Sequence, residues 1–335
     1  MLTAEETGLL TALVRATWRG TGAIVDGGSF LGSSLLAEAR GLAQGGAAWS
    51  PGDFPGGRPI HGFELGRHPA PRQPGRERVR RYGEVEYALG ESFVPELEQN
   101  IAEHRQLIQL HIGDLTEQHW SGTPIEVAFI DVCKTAELNA HVSREFLPSL
   151  LPEGSTLVHQ DFFFDLLPWI RVTMGYLADH FVWEGQVATS SVYRLVSAVP
   201  PEKAAYDPFT EGTLAECLAF HDAVTFTGID RPTQLMLALS RVNLILEKGS
   251  PREALAMLMD AAVAYADVAG SRSADDSYQP QPGTPEAHLP RRRLDKTVGR
   301  VLTRLAAEES PAGVESGPQG PSDRPPSDLD RVRAA

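Results

Sequence analysis

Ala23-Ile24-Val25-Asp26-Gly27-Gly28-Ser29-Phe30-Leu31-Gly32 is the stretch on which the reading of this chain turns. Three apolar residues make a short strand, the acid and the glycines make a turn, and residues 33–42 continue as a helix. Glycine accepts positive φ and lets backbone come close to a ligand. The helix that follows offers unpaired N–H groups at its first turn. The spacing is Asp26-x-Gly28-x-x-x-Gly32. It is not the G-x-G-x-x-G of a dinucleotide site, nor a P-loop, because no Gly-Lys-Ser/Thr follows.

Outward from this turn, apolar runs alternate with helical periodicity. Strands are expected at 60–64, 107–112, 125–132 and 155–159, with a hairpin formed by 181–183 and 191–196. Helices are expected at 5–18, 93–103, 136–150 and 166–181. Such alternation implies an α/β fold with a doubly wound, mostly parallel sheet. Residues 44–58 read as a Gly/Pro loop, and the arginine-rich 67–81 as an exposed loop or lid. Beyond residue 210 the pattern is helical. Ser250-Pro251-Arg252-Glu253 supplies an N-cap, a first-turn proline and a capping-box glutamate. The expected division is a ligand-binding α/β domain over 1–200, a C-terminal helical extension over 205–269 and a tail over 270–335. The Pro-, Gly- and Ser-rich parts of that tail are expected to be disordered, with one marginal helix around 294–308.

The 335 residues are 42% hydrophobic, enough for a substantial core, and carry a net charge of -14. Excess negative charge opposes nonspecific binding to nucleic acid or to anionic membranes. Two cysteines, Cys133 and Cys217, cannot form a disulfide framework or a structural zinc site. The N-terminus lacks a signal-peptide pattern, and no apolar run reaches the roughly 20 residues of a membrane span. The default expectation is a cytoplasmic protein with a small-molecule ligand, no nucleic-acid or membrane partner, and room for a homo-oligomer.

Carboxylates recur at strand ends. Glu64 closes the second expected strand, and Asp114 follows the third after Gly113. Ile130-Asp131-Val132-Cys133-Lys134 ends the fourth strand, and His159-Gln160-Asp161 ends the fifth. Neighbouring strands would bring Asp131 and Asp161 to one rim. Two adjacent buried carboxylates repel each other, which a divalent cation such as Mg²⁺ relieves.

Taken together, these motifs resemble those of class I S-adenosylmethionine (SAM) methyltransferases, over about residues 20–200. The resemblance implies a Rossmann-like methyltransferase fold. It implies that Asp26, Gly28, Gly32 and Ser34 line the SAM site, that Glu64 meets the ribose, and that Asp114 meets the adenine. The Asp131-x-x-Lys134 motif is similar to that of catechol-type, metal-dependent O-methyltransferases. They follow it with an Asp-Asn pair, where this chain has Gln160-Asp161 in exchanged order. That similarity implies Asp131, Gln160 and Asp161 as Mg²⁺ ligands and Lys134 as the base. Should the site be metal-free, His159 is the candidate base, since an unperturbed imidazole titrates near neutrality. The order of motifs also resembles macrocin-type sugar O-methyltransferases, which carry Ile-Asp-x-Asp where this chain has Ile130-Asp131-Val132-Cys133.

The expected activity is O-methylation of a small molecule, a sugar or secondary metabolite, with SAM as methyl donor. A noncatalytic member of the fold, binding a partner through its C-terminal helices, is the alternative. A nucleotide-sugar or NAD enzyme is a third reading, against which the glycine spacing counts. Cys133 lacks the partners of a catalytic thiol, and Phe162-Phe163-Phe164 reads as helix-proximal core.

Overall fold

The computed structural model describes residues 2–68, 80–82, 85–88, 90–152, 154–269 and 290–309. Its centre is a seven-stranded sheet. The strands in chain order are β1 (Ala23–Gly27), β2 (Ile60–Glu64), a separate small hairpin β3 (Arg80–Tyr82) and β4 (Val85–Tyr87), β5 (Ile108–Ile112), β6 (Ile125–Ile130), β7 (Thr156–His159), β8 (Phe181–Val187) and β9 (Ser190–Leu195). The order across the large sheet is β5-β2-β1-β6-β7-β9-β8. Five strands run parallel, and β9 is antiparallel to both of its neighbours.

The register explains why these segments are apolar throughout. Ile24 sits between Ile60 and Val127, and Ala128 sits beside Leu157. Central parallel strands are covered on both faces, so β1 and β6 are wholly buried. On one face lie α1 (Ala4–Thr17), α2 (Ser33–Gln44) and α3 (Val94–Asn100), whose Val14, Leu35, Ala39 and Leu97 pack on Ile24 and Ile60. On the other lie α4 (Ala136–Phe146) and α5 (Pro168–Tyr176), whose Val142, Phe146, Ile170 and Met174 pack on Val25, Ala128 and Leu157. Thr3 closes a capping box with Glu6 at the start of α1. The same Glu6 accepts the Ser190 hydroxyl at 2.8 Å, fastening the first helix to the last hairpin.

The rest of the described chain is helical: α6 (Pro201–Ala205), α7 (Pro208–Glu211), α8 (Leu214–Ala223), α9 (Arg231–Lys248), α10 (Pro251–Ala264), α11 (Ala266–Ala269) and α12 (Pro290–Glu309). Leu235, Leu239, Val242, Leu258, Leu294 and Val301 form a separate apolar core joining α9, α10 and α12. The helix expected around 294–308 thus spans Pro290–Glu309 and buries side chains. The stretches of 270–335 expected to be disordered lie, save Pro290, outside the described residues. No described helix is long and apolar enough to cross a membrane.

Boundaries moved where local chemistry intervened. The helix expected over 166–181 starts only at Pro168 and gives way near Leu177, so Phe181 is free to begin β8. Of the arginine-rich loop, Arg67 bridges to Ser92, and the backbone of Arg80 and Arg81 lies in β3. Arg72, Arg76 and Arg78 lie outside the described residues.

Candidate functional site

The chain leaves β1 toward β2 on one side and later returns to place β6 on the other. The carboxyl ends of β1 and β6 therefore flank the point where the winding reverses, the usual ligand crevice of an open α/β sheet. All the acids singled out in the sequence cluster around this edge, but their side chains are differently engaged.

Asp26 ends β1 facing α2 and is fully buried. It accepts the Ser29 hydroxyl at 3.1 Å, and the Ser34 hydroxyl also favours its charged form. Burial pushes its pKa up to about 7. Glu38, on the buried face of α2 and equally inaccessible, leaves both carboxyl oxygens unpartnered. Its pKa also stands well above the ordinary range, first through burial and then through the charge of Asp26. Glu38 was missed in the sequence. The signal was present, because it falls between Leu35 and Leu42 on the apolar stripe of the helix. Ser34, in the first turn of α2, is buried beside Asp26.

The glycines make room for the protein itself. Gly28 has φ +96°, and a Cβ there would lie 3.0 Å from the carbonyl carbon and oxygen of Asp131. Gly32 has φ +89° and caps α2, and its Cβ would lie 2.8 Å from Ile101 Cγ2. Between them Phe30 has φ +46°, a conformation uncommon outside glycine. Its N–H donates to Glu64 Oε2 at 2.6 Å, while Glu64 Oε1 accepts the Gly66 N–H at 3.1 Å. Both oxygens of the expected ribose ligand thus hold backbone amides. Burial raises the Glu64 pKa. Asp114 lies on the same edge, since the preceding Gly113 N–H donates to the Glu64 carbonyl at 2.9 Å. Its carboxylate caps a short turn, accepting the Thr116 hydroxyl at 2.8 Å and N–H at 2.9 Å. Those bonds hold its pKa below the ordinary value.

Across the switch point the structure brings Asp131, Lys134, Gln160 and Asp161 together. Parallel pairing of β6 and β7 aligns the two strand ends, and the Gln160 N–H donates to the Ile130 carbonyl at 3.0 Å. Asp161 has φ +60°, which turns the chain sharply after β7. The Lys134 ammonium ion-pairs with Asp131, and it donates to Asp161 Oδ2 at 2.6 Å and to Gln160 Oε1 at 3.3 Å.

This geometry alters two expectations. The point where Asp131, Gln160 and Asp161 converge, the expected place of Mg²⁺, holds the Lys134 ammonium. Among the described residues no group of three or more His, Cys, Asp or Glu is arranged to hold a metal. A divalent ion at that point would have to displace a like charge, so the donor set as folded does not fit one. Lys134 is also unsuited to the role of base. Partial loss of solvent opposes its charge, but the two carboxylates outweigh that, and its pKa stands above the ordinary lysine value. Asp131, by contrast, is raised by burial to about 6, against the pull of Lys134. His159 is buried, and burial followed by the Lys134 charge lowers it to about 3, so the ring is neutral and a weak base. Burial raises the pKa of the Cys133 thiol, and the Cys133 backbone carbonyl accepts the Trp169 indole N–H at 2.9 Å.

A seven-stranded, mostly parallel sheet covered by helices on both faces, with β9 antiparallel to both of its neighbours, is a Rossmann-like α/β fold, as the sequence led one to expect. No family model matches the chain, and no curated protein matches it. Among solved structures it is similar to the O-methyltransferase NovP, at 10% identity and a TM-score of 0.41, over 58% of this chain and 80% of that one. A putative caffeoyl-CoA O-methyltransferase from Staphylococcus aureus matches at 12% identity and 0.37, over 59% and 85%. The SAH-bound Podospora anserina methyltransferase PaMTH1 matches at 12% identity and 0.37, over 59% and 80%.

Proposed function

We propose that this chain is a SAM-dependent methyltransferase that methylates an oxygen of a small molecule at the Asp131–Lys134–Asp161 rim. The observation that carries the reading is the meeting, at one switch point, of a glycine turn that opens a helix and a carboxylate–lysine cluster. When bound, SAM supplies an electrophilic methyl group. Asp131 takes the proton of the acceptor hydroxyl, since a carboxyl near pKa 6 is ionised at neutral pH yet basic enough to accept a proton. Lys134 stays charged throughout and stabilises the oxyanion that develops, as a fixed cation in a partly enclosed site does. Glu64 receives the ribose hydroxyls by giving up the Phe30 N–H. No step passes through a metal.

A noncatalytic role has its own support. Glu64 and Asp114 already hold internal hydrogen bonds, and Asp26 is inaccessible. Calorimetric titration with SAM and S-adenosylhomocysteine, with NAD as control, separates the readings. Micromolar binding of either SAM species and none of NAD supports the methyltransferase. Absence of any response to the SAM species defeats it.

A further inference from the structure

β9 runs antiparallel to β7, so the turn joining β8 to β9 arrives at the carboxyl end of β7, beside Gln160 and Asp161. The reversal takes only Ala188 and Thr189, with Ala188 at φ +50°. Two bonds tie this turn to the rim. The Phe163 N–H donates to the Thr189 carbonyl at 3.2 Å, and the Gln160 side-chain amide donates to the Thr189 hydroxyl at 3.4 Å. That hydroxyl donates in turn to Glu6 Oε1 at 3.5 Å. Glu6 comes from the first turn of α1 and is only 2% exposed. It also accepts the Ser190 hydroxyl at 2.8 Å and the Thr3 N–H at 2.9 Å.

The two ends of this chain of bonds fix its direction. An ammonium group only donates, so the Gln160 oxygen faces Lys134, at 3.3 Å, and the amide nitrogen is left to face Thr189. A hydroxyl has one hydrogen. Thr189 accepts from the amide, so its own hydrogen goes to Glu6. Every link from Lys134 to Glu6 therefore points the same way, from a cation to a carboxylate, and bonds aligned in this manner polarise one another. Links between 3.3 and 3.5 Å are long, so their effect lies in orientation more than in stability.

Orientation is what Lys134 lacks on its own. Its side chain is 48% exposed, and its charge sits at the end of a flexible four-carbon stem. Asp131 and Asp161 attract that charge from two sides. Gln160 adds an uncharged third acceptor that fixes where between them the ammonium rests. A glutamine amide left to itself rotates, and Thr189 with Glu6 behind it opposes the rotation.

We propose that Glu6 and Thr189 are positioning residues, which through Gln160 hold the Lys134 ammonium where the developing oxyanion meets it. The effect on methyl transfer rests on the methyltransferase assignment. The hold on Lys134 does not.

The chain has four lysines, Lys134, Lys203, Lys248 and Lys296, so ¹⁵N-lysine labelling of the full-length protein yields few side-chain ammonium signals, and Lys134→Arg identifies the one from the rim. Thr189→Val keeps the shape of the residue and removes the hydroxyl. It should speed hydrogen exchange of the Lys134 ammonium several-fold, the size of one net hydrogen bond, and shift its ¹⁵N frequency. Thr189→Ser returns the hydroxyl and should return the wild-type signal. Thr3→Ala removes the cap of α1 and lowers stability without breaking the chain of bonds, so it should leave the signal unchanged. Should Thr189→Val not fold, Gln160→Met breaks the same chain one link nearer to Lys134. Equal exchange in the wild type and in whichever of these variants folds, or an equal change in Thr3→Ala, overturns the proposal. Titration of the wild type with SAM judges the methyltransferase assignment separately. Absence of binding defeats that assignment and leaves the ammonium signal to decide the positioning.

Discussion

Asp165 and Arg293, 128 residues apart in sequence, form an ion pair from which solvent is excluded. Asp165 lies in the loop that follows Asp161, and Arg293 lies in the first turn of α12. The Arg293 Nε donates at 2.6 Å, and its guanidinium also lies over Phe164, 4.3 Å from the ring centre. Thr297 and Asn243 complete the carboxylate's partners, at 3.3 and 3.4 Å. The C-terminal helix is therefore coupled to the loop that presents the candidate site.

Arg293→Ala should cost about 3–5 kcal/mol of unfolding free energy, because it strands Asp165 without its counter-charge. Urea denaturation followed by circular dichroism measures this. Ending the chain at residue 270 should destabilise it comparably or more, since Leu294 and Val301 leave the helical core as well. A truncated protein with unchanged midpoint would show that α12 is dispensable.

Asp131→Asn should lower methyl transfer by about 10²–10⁴, the usual contribution of a positioned base. In the wild type, activity should rise with pH through about 6 as Asp131 ionises. The Asn variant should lack that limb. A retained limb would assign the titration to another group.

Replacing Lys134 with Ala should convert the rim into a divalent-ion site, since the two carboxylates and the Gln160 amide then face each other without a cation. Mg²⁺ or Mn²⁺ should raise the melting temperature of the variant and leave that of the wild type unchanged. Chelator should not affect wild-type turnover. A wild-type thermal shift saturating with Mg²⁺ would restore the metal to the site.

Stability should decline as pH rises through about 7. Asp26 has a folded-state pKa above its unfolded one, so the fold holds a proton that the unfolded chain has already lost at neutral pH. The stabilisation is complete below the ordinary carboxyl range and is lost as the folded group titrates, with Glu38 adding in the same direction. Asp26→Asn should flatten the profile between pH 5 and about 7 in denaturation experiments run from pH 5 to 9.

Gly28→Ala should harm the fold as well as ligand binding. Left-handed backbone alone costs a non-glycine residue about 1–2 kcal/mol, and the added carbon presses on the Asp131 backbone. A variant with native stability but no SAM binding would instead mean that the glycine makes space for the ligand alone.

The fold was legible because its signals are periodic. Apolar runs such as Ile125–Ile130, bounded by turns, mark central strands, and Ser250 to Glu253 marks a helix start. The gathering of Asp131, Lys134, Gln160 and Asp161 was also legible, because strand ends in such a sheet share an edge. Protonation and pairing were not. That Lys134 fills the expected metal position depends on side-chain reach across β6 and β7. Spacing alone gives no sign that Phe30 takes the carboxylate of Glu64. Arg293 is the last of three consecutive arginines in the sequence, and only packing shows that its partner is Asp165.

The strand order has a consequence for how the chain folds. β1 is made early yet lies at the centre, between β2 and a β6 that is synthesised only after the whole first half of the sheet. Until Val127 arrives beside Ile24, the flank of β1 that β6 will occupy offers unpaired amides and carbonyls to any passing strand. Such long-range pairing slows folding and prolongs exposure to misassembly. Nascent chains that end before Ile130 should therefore depend on chaperones.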